Sequence, residues 1–297
     1  MARLSRWLRE NYDGVITIAV VIVTLVPKVL NVPGYSPPID QALLVALGLL
    51  AFTIMRHQGR ADRADRTGRE PGGVRILNRD EVRHEHQEAH KHTSIWMFKG
   101  GTGTYLRAVT LPSCVQNAHR EKRSLRVQAE IIDPTNRQLC EYYSDLRQFR
   151  PDLTGELWTP ERTRNEGYAT ILAASWYQQR FTILRIEVAL STTVPTFRWD
   201  LSSTGVLMTQ EDHGPHLLFG VPSPHYNLCT RELDSSFRQA RRVPLELAKN
   251  VHLSEEPTLY QARCLFRELG IPLPDSVGND DVTEIVRRAL HAKNPYP

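Results

Sequence analysis

The sequence predicts an α/β domain with a mainly parallel sheet, carried behind an N-terminal two-helix transmembrane hairpin. Three observations lead there. Two apolar runs crowd before residue 56, an arginine-rich segment without an apolar stripe follows them, and from residue 94 β-branched runs alternate with helix-spaced ones. The expected organisation is 1–56 for the hairpin with its amphipathic N-terminus and 57–92 for a charged juxtamembrane linker and helix. An α/β domain over 93–245 and a helical C-terminal extension over 246–297 complete it.

The hairpin rests on Gly14–Val32, with Lys28 as its one charge, and on Gln41–Met55. A bilayer core needs about 20 apolar residues, with a range of roughly 17–25. Pro33, Gly34, Pro37 and Pro38 break the chain between the runs. Arg3, Arg6 and Arg9 precede the first run, and Arg56, Arg60, Arg63, Arg66 and Arg69 follow the second, which places both ends on the cytoplasmic side of a bacterial inner membrane. A cleaved signal peptide is the rival reading, but no A-x-A-like site follows the first run. Thr17, Thr24 and Lys28 are the polar marks within the span. They are candidates to line a pore in an oligomer, with a snorkelling lysine as the plainer reading of Lys28.

Residues 56–73 alternate Arg, Asp and Gly and read as a solvated segment able to touch anionic headgroups. A helix carrying His84, His86, His90 and His92 follows. His86 and His90 share a face at a spacing that can hold a metal, but Glu88 departs from the H-E-x-x-H order, and a solvated face is the expectation. No metal and no cofactor are expected.

The domain's strands are expected at 94–100, 123–136, 180–191, 195–210 and 216–223, the last three following each other closely. Helices are expected after the glycines at 100–103, over 139–149, 163–180 and 234–243, and in two C-terminal stretches. Hydrophobic residues at 41%, against 24% charged, suit a folded rather than a disordered chain. The net charge of +4 permits an anionic partner without demanding one. Cys114, Cys140, Cys229 and Cys264 lie far apart with no C-x-x-C pair, and read as free thiols in a reducing compartment.

In parallel sheets, ligand sites gather beyond the carboxyl ends of the strands. Three polar clusters are expected there: Lys99, Thr102, Thr104, Tyr105 and Arg107 around a Gly-rich turn, then Asp133 and Asn136, then Arg198, Ser202 and Ser203. The glycines let backbone approach a ligand and the next helix offers free N–H groups to an anion, although such turns are as often purely structural. The turn is neither G-x-x-x-x-G-K-[ST] nor G-x-G-x-x-G. Trp96, Tyr105 and Trp176 are candidates to stack on bases.

The order of strand, Gly-rich turn, helix and a strand ending Ile131-Ile132-Asp133-Pro134, with the later Arg198–Ser203 strand and HLLFGVPSPHY, resembles a phospholipase D-like domain over roughly residues 82–245. Active members carry H-x-K-x-x-x-x-D. No such motif occurs here, so the resemblance implies a degenerate domain without catalytic residues. The whole plan also resembles two-transmembrane-helix effectors of bacterial antiphage nucleotide-signalling systems. That likeness implies a homo-oligomer, a tetramer in the simplest case, acting as an ion channel or membrane-disrupting protein. It also implies a nucleotide or single-stranded oligonucleotide ligand, membrane lipid as a partner, and a nucleotidyltransferase as the signal source. The alternatives are a membrane-tethered phosphodiesterase or phospholipase-like hydrolase drawing on His119, His213, His216 or His225 with Asp133 or Asp200, and a plain adaptor.

Overall fold

The structure, a computed structural model, describes residues 73–147, 156–210 and 216–295. All of them belong to one compact unit, Glu70–Pro297.

Eight strands form one sheet in the order β1-β7-β6-β5-β2-β3-β4-β8. They are β1 (Val74–Leu77), β2 (Ile95–Lys99), β3 (Leu125–Ile132), β4 (Leu184–Ser191), β5 (Arg198–Ser202), β6 (Gly205–Thr209), β7 (His216–Gly220) and β8 (Arg241–Val243). The helices are α1 (Arg79–His92), α2 (Leu111–Arg120), α3 (Arg137–Arg147), α4 (Pro160–Arg180), α5 (Pro224–Gln239), α6 (Leu259–Glu268) and α7 (Asn279–Leu290). A π-helical turn, Leu106–Thr110, leads into α2, and a 3-10 turn, Leu245–Asn250, follows β8.

The expectation of a mainly parallel, phospholipase D-like sheet is corrected. Only β2–β3 and β3–β4 pair in parallel, whereas β5 runs antiparallel to β2, and the β5–β6, β6–β7, β7–β1 and β4–β8 pairs are antiparallel too. Connection length is the cause. A parallel partner requires a crossover of a dozen or more residues. The β2–β3 link holds α2 and the β3–β4 link holds α3 and α4, but only residues 192–197 join β4 to β5 and only Ser203–Thr204 join β5 to β6. The run expected as one fourth strand is therefore a hairpin.

The expected hairpin in the membrane, and with it a membrane protein and an ion channel, is corrected as well: no helix among the described residues is long and apolar enough to cross a membrane. The runs at 14–32 and 41–55, with Thr17, Thr24 and Lys28, lie outside the described residues.

One face of the sheet carries the main core. Trp96 and Phe98 of β2, Val127, Ala129 and Ile131 of β3, and Ile186, Val188 and Leu190 of β4 meet Tyr168, Ile171 and Leu172 of α4. Every residue of α4 from Gly167 to Ser175 is buried, which explains its nearly all-round apolar and small composition. Leu253, Phe266, Val282 and Ile285 belong to the same core, so the C-terminal helices complete it. On the other face α5 packs Leu233, Tyr226 and Cys229 against Met97, Leu201 and Val206. The helix starts are locally encoded. Asn78 with Glu81 and Thr258 with Gln261 form capping boxes, and Thr159 and Ser223 cap helices that begin with Pro160 and Pro224.

Candidate functional site

Beyond the carboxyl end of β2 the chain turns sharply through Gly100–Gly103. A Cβ on Gly101 would lie 2.3 Å from the Tyr143 hydroxyl, and Gly103 takes φ +77°, so the turn depends on both glycines. It sets Thr104 and Arg107 against the N-terminal half of α4. The wide π turn at 106–110 directs Arg107 inward, a local geometry often met at functional sites.

Arg107 is buried. Its Nε donates to the Arg288 carbonyl (2.6 Å) and its Nη1 to the Glu166 carbonyl (3.1 Å) and Thr170 Oγ1 (2.8 Å), while Nη2 pairs with the Glu166 carboxylate. Thr104 Oγ1 donates to Glu166 Oε2 at 2.8 Å. Arg288 also pairs with Glu166, and reaches Glu156 Oε2 (2.7 Å) and Glu284 Oε1 (2.5 Å). Arg162 binds the Glu156 carbonyl and lies 4.4 Å from the centre of the Trp158 ring. Burial works to raise the Glu166 carboxyl, but the charges of Arg107 and Arg288 and the hydrogen bonds from Arg107 and Thr104 outweigh it and hold the group down at about 2. Arg288 is held above its ordinary value: burial opposes its charge, and Glu156, Glu166 and Glu284 together overcome that.

These residues line a cavity of about 230 Å³. Its walls carry five cations (Arg107, Arg162, Arg287, Arg288 and Lys293) against two carboxylates, Glu156 and Glu166, while Glu284 pairs with Arg287 and Arg288 from outside the lining and leaves a surplus of two. Arg107 and Glu166 form the buried floor, while Arg287, Lys293 and Glu156 are exposed at the rim. The lining thus sets positive charge around a floor already fixed by hydrogen bonds. Thr104 supplies the only hydroxyl among the lining residues, and Glu166, beside it, is ionised and engaged by two guanidinium groups.

Thr104 and Arg107 are the two sequence-expected residues that meet here; Thr102 touches the site through Thr104 (Oγ1 to Oγ1, 3.0 Å). The others go elsewhere. Lys99 points to the opposite sheet face, 2.5 Å from Ser236 Oγ and 3.5 Å from Glu130. Asp133 accepts from Thr135 and pairs with Arg241 at 2.7 Å, and Asn136 accepts from the Leu139 N–H at the start of α3. Tyr105 and Arg198 meet each other, with the guanidinium 4.5 Å from the ring centre. Ser202 and Ser203 lie at the other end of the sheet, because antiparallel β5 pairs Ser202 with Trp96 rather than with Lys99; Ser203 bonds to Thr93 and Ser94 there.

Arg198 belongs to a second buried cluster. Asp200 pairs with Arg198 (2.6 Å), accepts from Trp96 Nε1 (3.2 Å) and sits 3.7 Å from His86 Nε2. His86 and His90, expected on a solvated helix face, are both buried; α1 packs them against Trp96. Desolvation lowers His86 to about 3 and His90 to about 4 despite the nearby Asp200 charge, so both are neutral near pH 7. No group of three or more metal-ligating side chains occurs among the described residues.

Sequence reasoning missed Glu166, Arg288, Arg162, Arg287, Glu156 and Lys293. Two signals were present. Glu166 is a carboxylate directly preceding the apolar, fully buried stretch 167–175 of α4, and Glu284-x-x-Arg287-Arg288 offers two cations at ion-pair spacing. No protein-family model matches the chain, and comparison with the curated proteins finds no match.

Proposed function

We propose that this domain is a sensor that binds the phosphate groups of a nucleotide or short oligonucleotide in the Arg107–Arg288 cavity without turning it over. The observation that carries the reading is the surplus of cations around a pre-organised floor. Glu156 supplies the differential interaction a sensor needs. It is half-exposed, ties Arg162 and Arg288 together, and is the carboxylate that an incoming phosphate displaces. The responding species in this reading is a homo-oligomer, and the ligand source is a nucleotidyltransferase.

Calorimetric titration of the full chain with mononucleotides, cyclic dinucleotides and short oligonucleotides, with subunit mass recorded in parallel, tests this. Arg287→Ala and Lys293→Ala, both at the rim, should each weaken binding about tenfold, the scale of a charge-assisted contact. Glu156→Gln should tighten it by removing the internal competitor. Equal affinity in all three variants, or release of hydrolysed product, sinks the reading.

A further inference from the structure

The sheet face that carries α5 is only partly covered by it. Over β3, β4 and β8 it presents charge: Arg126 and Arg185 are register partners on adjacent strands, and Arg242 reaches in from edge strand β8. All three converge on one carboxylate, Glu187, at 3.0, 3.7 and 2.8 Å respectively. Like charges facing each other across a strand pair are destabilising. One glutamate neutralises one of the three, leaving a surplus of two on strands about 4.8 Å apart. The guanidinium-bearing side chains remain 50%, 76% and 44% exposed, so the cluster faces outward rather than closing on itself.

Arg242 carries an independent observation. Its guanidinium lies over the buried Phe237 ring of α5, 4.2 Å from the ring centre, while the side chain stays partly exposed. Guanidinium planes held this way stack on unpaired bases, while neighbouring arginines neutralise phosphates. A lipid surface would call for exposed apolar side chains beside the cations, and none of the exposed large hydrophobic residues belongs to β3, β4 or β8.

We propose that Arg126, Arg185 and Arg242, arranged by Glu187, form a docking surface for the sugar-phosphate backbone of a single-stranded nucleic acid, separate from the Arg107–Arg288 cavity. Neutralising two phosphates, the surplus left by Glu187, gives a salt dependence that costs roughly sevenfold in affinity between about 50 and 200 mM salt.

The test is fluorescence anisotropy of the full chain with a labelled 15-nucleotide oligo-dT, at several salt concentrations. The expected result is salt-sensitive binding that the triple variant Arg126→Ala/Arg185→Ala/Arg242→Ala loses at least tenfold, with an unchanged circular dichroism spectrum because all three side chains are outward-facing. Arg75→Ala, on β1 at the opposite edge of the sheet, removes one positive charge away from this surface and should leave oligo-dT binding intact. Oligo-dT binding that survives the triple variant, or falls as far in Arg75→Ala alone, overturns the proposal. So does absence of oligo-dT binding alongside retention on vesicles of anionic lipid.

Discussion

At the residue scale, Glu166 shows how a buried charge becomes structural. Its carboxylate joins Arg107 of the π turn, Arg288 of α7 and Thr104 of the Gly-rich turn, three segments far apart in sequence. Glu166→Gln would leave two largely buried guanidinium groups facing an uncharged amide, and should cost about 3–5 kcal/mol in a urea titration, the scale of breaking a buried pair from one side. A loss within about 1 kcal/mol, as for exposed pairs, would mean that the network is not what holds the cavity floor. His86 and His90 make the second prediction. Their native pKa values lie below the unfolded value of 6.5, so the unfolded chain binds protons that the native chain refuses. Stability is then fully present above pH 6.5 and falls as pH drops toward 4, by up to about 1.4 kcal/mol per pH unit for each histidine. Urea midpoints measured from pH 7.5 to 4.5 should fall accordingly, and His90→Phe should flatten the slope. An unchanged slope in that variant would show that His90 is not a source of it.

At the element scale, the turn after β2 governs the site. Gly101 lies under the Tyr143 ring of α3, and a Cβ there would meet Cε2 and Cζ of that ring at 2.5 Å. Gly101→Ala should therefore destabilise by about 1–3 kcal/mol, the usual cost of overpacking, and disturb Thr104 with it. Gly101→Ala/Tyr143→Leu should recover much of that loss; thermal melts of the single and double variants check the pair. Failure to recover would place the cost in the backbone rather than in the ring. The same element logic explains α1: its polar composition conceals a buried stripe of His86, Ala89 and His90, and its capping box fixes where that stripe begins.

At the scale of the whole molecule, the C-terminal helices are part of one core rather than an appendage. Leu253, Ala262, Leu265, Phe266, Val282 and Ile285 are fully buried in the cluster that contains β3, β4 and α4. Deleting residues 252–297 removes that cover together with Arg287, Arg288 and Lys293. The truncated chain should lose cooperative unfolding in a calorimetric scan as well as anion binding. A sharp transition in the truncated chain would show that 252–297 is dispensable to the fold.

Much of the local structure was legible because its causes are local. Capping residues and prolines set the helix starts, β-branched runs marked β2, β3 and β4, and the paired glycines marked the turn that presents Thr104 and Arg107. Three-residue β8 and four-residue β1 are too short to announce themselves against their polar flanks. Strand direction was not legible, since it follows from how far a connection must travel once the strands are placed. That single fact separated Ser202 and Ser203 from Lys99. The sequence by itself determined an α/β domain, its free cysteines and the Gly-rich turn after β2. Only the tertiary structure decided that α4 and α7 bring Glu166, Arg287 and Arg288 to that turn, because the pairing of distant charges is a property of packed helices and leaves no spacing along the chain.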